Sequence, residues 1–138
     1  MAGAPLEAIR SVPLFAELSE DELAQVARLF KQRSFAPGET VAKEGSGGAA
    51  FYLIESGTAN VSVAGRERAG LGPGDYFGEI ALIDEGARSA TITAVEQLSC
   101  YGLTYWDFRP LVMENAAICW KLLQFMVKRL RDAEARPA

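Results

Sequence analysis

Apolar positions recur with two different periods along this chain, and the change of period divides it into three parts. Leu23, Val26, Ala27 and Phe30 fall at i, i+3, i+4 and i+7, which is one face of a helix. Ser19-Glu20-Asp21-Glu22 fits a capping box, with Ser19 as N-cap and Glu22 at N3. Leu18 and Leu23 stand where a hydrophobic staple closes the first turn. Upstream, Leu6 to Phe15 holds a shorter helical or turn segment broken near Pro13. Helices are therefore predicted within about residues 5–31.

From about 33 to 103 the pattern becomes short apolar-alternating runs punctuated by glycine and proline. The punctuation falls at Pro37-Gly38, Gly45 to Gly48, Ser56-Gly57, Gly65, Gly70 and Gly72-Pro73-Gly74. Phe51 to Ile54, then Ser56-Gly57, then Val61 to Val63 reads as two strands around a tight turn. Ala90 to Val95 and Leu98 to Leu103 read as two more. Many short strands at this spacing predict a sandwich, jelly roll or small barrel. Gly38, Gly57 and Gly74 are read as turn residues.

After Thr104 the helical period returns. A short hinge helix is predicted over Tyr105 to Met113 and a longer one over about Asn115 to Ala135. The longer helix has a main apolar stripe of Cys119, Leu122, Leu123, Met126 and Leu130. Ile118, Trp120, Phe125 and Val127 widen it beyond the single stripe a surface helix needs. The surplus implies a second neighbour: a ligand, another subunit, or both. Trp106 and Phe108 are expected to pack on the barrel, and Trp120 in a helix interface. Arg129, Arg131 and Arg136 suit the negative pole of the helix dipole. The expected order is helices, β-barrel, helices, in one domain over 1–138.

Composition narrows the chemistry. The chain has 138 residues, 49% of them hydrophobic, which suffices for one packed core. It has no histidine. That removes Ser-His and Cys-His nucleophile pairs, a histidine base, and the several-histidine metal sites of cupin-type enzymes. Cys100 and Cys119, in separate apolar surroundings, read as free thiols of a reduced compartment. The net charge of −4 disfavours a polyphosphate backbone as partner. No stretch is long and apolar enough to span a membrane, and no secretory leader is seen. The expectation is a cytoplasmic, non-enzymatic protein that binds neither metal, membrane nor nucleic acid by this chain alone.

One segment carries specific chemistry: Gly74-Asp75-Tyr76-Phe77-Gly78-Glu79-Ile80-Ala81-Leu82-Ile83, then Arg88-Ser89-Ala90-Thr91. Gly78 lets the backbone approach a ligand closely. Glu79 to Leu82 can form one helical turn whose free amides face an anion. Arg88 can place a forked guanidinium on the same anion. Glu79 fits beside an anion site if it accepts a hydrogen bond from a ligand hydroxyl. A cyclic phosphate fused to a sugar with a free hydroxyl satisfies all three groups. The bland alternative is a structural Glu79–Arg88 ion pair across the loop. Asp84, Glu85 and Gly86 read as a solvated loop.

This stretch resembles the phosphate-binding cassette of the cyclic-nucleotide-binding domain family. Pro37-Gly38-Glu39, Glu44-Gly45, Phe51 to Ile54, Ser56-Gly57 and Gly72-Pro73-Gly74-Asp75 agree with it, so the likeness spans roughly 10 to 132. The resemblance implies a jelly-roll barrel with flanking helices, and a cyclic mononucleotide as ligand, cAMP before cGMP. By position, Glu79 would accept from the ribose 2′-hydroxyl and Arg88 would pair with the phosphate. Backbone amides of Gly78, Glu79, Ile80, Ala81 and Ala90 would hold phosphate oxygens, with Phe77 beside them. Ser89 matches the bacterial regulators, where its hydroxyl also touches phosphate. Arg129 matches a helix arginine near the site, whereas Ala133 and Glu134 depart from the hydroxyl pair that covers the base there. The base would lie on apolar barrel residues. Bacterial relatives pair through the long helix, so a homodimer and an effector protein are expected. Alternatives are the sensing fragment of a larger transcription factor, kinase subunit or channel, or a module that keeps the fold and no longer binds nucleotide.

Overall fold

The computed structural model describes residues 3–45, 50–84 and 88–135, without the side chain of Ile80. Parts of the turn expected over Gly45 to Gly48, Glu85 and Gly86 of the cassette loop, and Arg136 lie outside the described residues. The chain opens with α1 (Leu6–Arg10), a 3₁₀ turn (Pro13–Phe15) and α2 (Glu20–Ala27). The capping box forms as predicted. Ser19 Oγ accepts from the Glu22 amide at 3.2 Å, and Glu22 Oε1 accepts from the Ser19 amide at 2.8 Å. Leu23, Val26, Ala27 and Phe30 are all buried. The helix stops short of the predicted end near 31. The Gly3 amide takes the Phe30 carbonyl and the Ala4 amide takes the Ala27 carbonyl, so the N-terminal segment satisfies groups that another helical turn would have used.

Among the described residues eight strands follow: β1 (Lys31–Phe35), β2 (Thr40–Ala42), β3 (Ala50–Ser56), β4 (Ala59–Val63), β5 (Arg66–Leu71), β6 (Tyr76–Phe77), β7 (Thr91–Ala94) and β8 (Leu98–Thr104). They form two antiparallel sheets, ordered β1-β8-β3-β6 and β2-β7-β4-β5. Among the described residues no strand pairing joins the two sheets, and this antiparallel two-sheet arrangement with flanking helices is the fold class expected from the sequence. The turn expected between β3 and β4 is not a hairpin. Their short link, Gly57-Thr58, carries the chain from the first sheet to the second. Gly57 has φ +89°, and its Cα packs so close to the Gln97–Leu98 backbone that a side chain has no room. β3 pairs instead with β8, across a register shift between Ile54 and Ser56. Such pairing is set by tertiary packing and not by the local turn.

The first sheet divides the core. Phe51 and Leu53 of β3 and Leu103 of β8 join the helices, where Phe15 meets Phe51 and Phe108 edge-on with ring centroids 6.2 and 6.1 Å apart. Ile54, Leu98 and Cys100 face the other way and pack with Ala42, Ala59, Ile92 and Ala94 of the second sheet. This alternation is the period-2 pattern of a sheet covered on both faces.

The chain ends in α3 (Tyr105–Glu114) and α4 (Ala116–Ala135). Asn115 closes α3, with its side-chain amide on the Leu111 carbonyl at 2.7 Å, and its own carbonyl opens α4 by accepting from the Cys119 amide. The buried stripe of α4 is Ile118, Leu122 and Phe125, rotated from the predicted one. Leu123, Met126 and Leu130 are exposed, as is Trp120. The whole helix is apolar enough that sequence spacing does not decide which side meets the core. Phe108 packs as expected, whereas Trp106 is 63% exposed and meets the Tyr105 ring edge-on. Lys121 ties α4 to α2 through Glu22 at 2.6 Å. Among the described residues, no helix is long and apolar enough to cross a membrane.

Both cysteines are free. Burial, with a smaller contribution from Glu55, pushes the Cys100 thiol up to about 12. Cys119 is only half-buried. A thiol reagent at pH 8 should therefore modify Cys119 in the native protein and Cys100 only after denaturation. Equal native reactivity of both would contradict this packing.

Candidate functional site

The site is assembled on the edge of the first sheet. The Gly72-Pro73-Gly74-Asp75 turn is closed by Asp75 Oδ2, which accepts from the Gly72 amide at 2.8 Å. It is pinned to β3 by the Gly74 amide on the Ile54 carbonyl and the Ile54 amide on the Asp75 carbonyl, both 2.9 Å. This delivers β6, then Gly78, beside the start of β3. Gly78 has φ +84°, a conformation that strains any other residue. A Cβ there would stand 2.7 Å from the Ala50 carbonyl oxygen and would collide with the Arg88 guanidinium. Glu79–Leu82 follows as one 3₁₀ turn, as the sequence predicts. The Ala81 amide donates to the Gly78 carbonyl at 2.9 Å, so that amide serves the turn itself.

Arg88 comes from the far side of the cassette loop. Its carbonyl accepts from the Gly45 amide at 2.9 Å, and the neighbouring Glu44 amide donates to Thr91 Oγ1 at 2.9 Å. These bonds fix the backbone on either side of Arg88-Ser89-Ala90. The side chain then crosses over Gly78, and Nη2 donates to the Ala50 carbonyl at 2.5 Å. Burial lowers the pKa of this guanidinium, and Tyr52 pulls it back up. Arginine's high starting value keeps it charged at neutral pH.

Glu79 and Arg88 do not pair with each other, which removes the bland reading of a structural ion pair. Glu79 Oε1 instead meets Arg129 Nη1 of α4 at 3.4 Å. Arg129 is held in turn against the Phe125 ring, 5.7 Å from its centroid. Among the described residues, two buried polar side-chain atoms are left without any hydrogen-bond partner: Glu79 Oε2 and Arg88 Nε. Such orphans are costly in a folded protein and call for an explanation. Both residues line the same cavity of about 430 Å³, within the range of small-molecule sites.

Phe77, Gly78, Glu79, Ala81, Arg88, Ser89 and Ala90 all line that cavity. Ile80 lies in the cassette turn with its side chain outside the described set, and Arg129 reaches the site through Glu79 without lining it. The structure adds wall residues that the motif does not name: Ala42, Val61, Leu71 and Ile92 from the second sheet, and Tyr76 beside the cassette. Small aliphatic residues in strands carry no sequence signal of a wall, since core positions look the same. Among the described residues there is no cluster of His, Cys, Asp or Glu that could hold a metal ion.

The cyclic nucleotide-binding domain model matches residues 32–115. A cyclic AMP receptor protein of Thermus thermophilus is 34% identical over 131 residues, covering 91% of this chain and 61% of that protein. A cGMP-dependent protein kinase of Toxoplasma gondii is 41% identical over 95 residues, 69% of this chain and 10% of the kinase. The solved N-terminal domain of a transcriptional regulator from Streptomyces coelicolor superposes with TM-score 0.84 at 27% identity, covering 92% of each chain. The chain thus spans less than two thirds of the length of these curated relatives. With the cassette intact and the match running through most of the sheets, this chain belongs to the cyclic nucleotide-binding domain family.

Proposed function

We propose that this chain is a non-catalytic, cytoplasmic sensor module that binds a cyclic mononucleotide, with cAMP the first candidate, and reports its presence through α3 and α4. The observation that carries this reading is the pair of buried, unpartnered atoms on one cavity: Arg88 Nε, a donor, and Glu79 Oε2, an acceptor. A cyclic phosphate supplies the acceptor for Arg88, and the ribose 2′-hydroxyl supplies the donor for Glu79. The Ser89 hydroxyl, next to Arg88 at the same cavity, adds a second donor to the phosphate. A Thermus relative that is a cyclic AMP receptor protein supports cAMP. The net charge of −4 supports an output passed to an effector protein and not to nucleic acid by this chain alone.

Output is routed through Glu79. Its carboxylate bonds α4 through Arg129, which is 55% exposed, so the ion pair is weak and easily reset. A nucleotide that engages Oε2 and draws the cassette toward its phosphate changes where Arg129, and with it α4, rests. A ligand moves this equilibrium only by binding one arrangement better than the other. Trp120, Leu123, Val127 and Leu130 recur at 0, 3, 7 and 10 along α4 and are 50–62% exposed, the spacing of a coiled-coil seam. A second copy pairing through this seam is the proposed assembly.

By calorimetry, the wild-type protein should bind cAMP, and Arg88→Ala should weaken binding by about 3–5 kcal/mol, the cost of stranding a buried charge partner. Equal affinities would remove Arg88 from the site. Gly78→Ala should also abolish tight binding, whereas Gly38→Ala, with the same sign of φ but open space around it, should cost stability alone. In light scattering, the wild type should be dimeric and Val127→Glu monomeric. A wild-type monomer at every concentration, with and without cAMP, would leave the α4 seam unexplained.

A further inference from the structure

The cavity has two chemically distinct halves. Every polar side chain that lines it among the described residues belongs to the cassette segment: Tyr76, Glu79, Asp84, Arg88 and Ser89. Burial raises the pKa of the Tyr76 hydroxyl, and the Glu79 carboxylate adds to that shift while Arg129 opposes it. The opposite wall is built by the second sheet. Each of its four strands contributes one residue: Ala42 from β2, Val61 from β4, Leu71 from β5 and Ile92 from β7. All four are aliphatic.

We infer that this site reads the cyclic sugar-phosphate and is nearly blind to the base, so that its ligand class is the 3′,5′-cyclic nucleotides as a group, pyrimidines included. The inference rests on the nucleotide-binding reading above. With the phosphate and ribose fixed at the cassette, the base falls on the aliphatic wall. Methyl and methylene groups contact the face of any ring and offer nothing to its edge.

Strong discrimination between bases has a definite structural requirement. Adenine and guanine differ in which edge atoms donate and accept. A site that hydrogen-bonds one edge rejects the other by several orders of magnitude, because its own buried polar groups are left unpaired. An aliphatic wall has no such groups to strand. It separates ligands only by contact area, which is a shallow difference. Rejection also needs a repulsive element aimed at the wrong base, and the wall supplies neither charge nor dipole.

Ser89 is the one cassette hydroxyl that follows Arg88 directly, so it is the residue to test for a hidden role at the base edge. If it serves only the phosphate, its removal weakens all nucleotides equally.

The experiment is calorimetric titration of the full chain with cAMP, cGMP, cCMP and cUMP, repeated with 2′-deoxy-cAMP and with the Ser89→Ala variant. The inference predicts dissociation constants for the four bases within about tenfold, the smaller pyrimidine rings at the weak end. It predicts a larger loss for 2′-deoxy-cAMP than for any change of base, because that ligand leaves Glu79 Oε2 unpartnered. Ser89→Ala should lower the four affinities by a common factor. A spread beyond tenfold among the bases, or a Ser89→Ala effect confined to one base, would overturn base tolerance while leaving nucleotide binding intact. Failure of all four to bind would overturn the functional reading, and base tolerance with it.

Discussion

The structure depends on one side chain hung over one glycine. Arg88 crosses Gly78 and donates to the Ala50 carbonyl, leaving Nε buried and without a partner. Each part of this arrangement needs the others. Gly78 must lack a Cβ for the guanidinium to pass, Ala50 must open β3 at that point, and the Glu44-Gly45 backbone must hold Arg88 at its other end. A half-satisfied buried cation is unfavourable in a resting protein. It becomes favourable once an anion with several acceptors enters the cavity. A bound phosphate would thus complete hydrogen bonding that the protein alone leaves unfinished.

Glu79 links that pocket to the helices. One carboxylate oxygen meets Arg129 of α4, and the other is buried without a partner. The fold gives this contact its reach. Leu82, at the end of the cassette turn, is buried in the same core as Phe108 of α3 and Ile118, Leu122 and Phe125 of α4. A shift of the cassette by the width of one side chain would therefore be felt by both helices, because a close-packed core does not absorb displacement. The exposed apolar side of α4 is where such a shift would become visible to another molecule.

Much of this could be read from the residues, and the failures share a physical cause. The capping box at Ser19 and Glu22, the turn glycines and the short cassette helix are local, and they form as their sequence dictates. Non-local choices were not legible. Ser56-Gly57 looks like a hairpin turn, yet β3 finds β8 and the chain crosses to the other sheet. α4 has apolar residues on most of its circumference, and only packing selects Ile118, Leu122 and Phe125 for burial. Trp106, expected on the barrel from its place in the hinge helix, is largely exposed. At the site, the motif names Glu79, Arg88 and Ser89 of the polar half, whereas Tyr76 and Asp84, the latter read as part of a solvated loop, line the cavity without having been singled out. The aliphatic wall is silent in sequence because Val61 or Ile92 would look the same in any strand. The Glu79–Arg129 contact joins residues fifty positions apart, and no local pattern pairs them.

The most direct measurement is a crystal structure of this chain grown with cAMP. The nucleotide should lie in the cavity between the cassette and the second sheet. A phosphate oxygen should lie within hydrogen-bond distance of Arg88 Nε, and the 2′-hydroxyl should lie on Glu79 Oε2. A nucleotide bound elsewhere, or one in the cavity that leaves those two atoms still unpartnered, would contradict this placement.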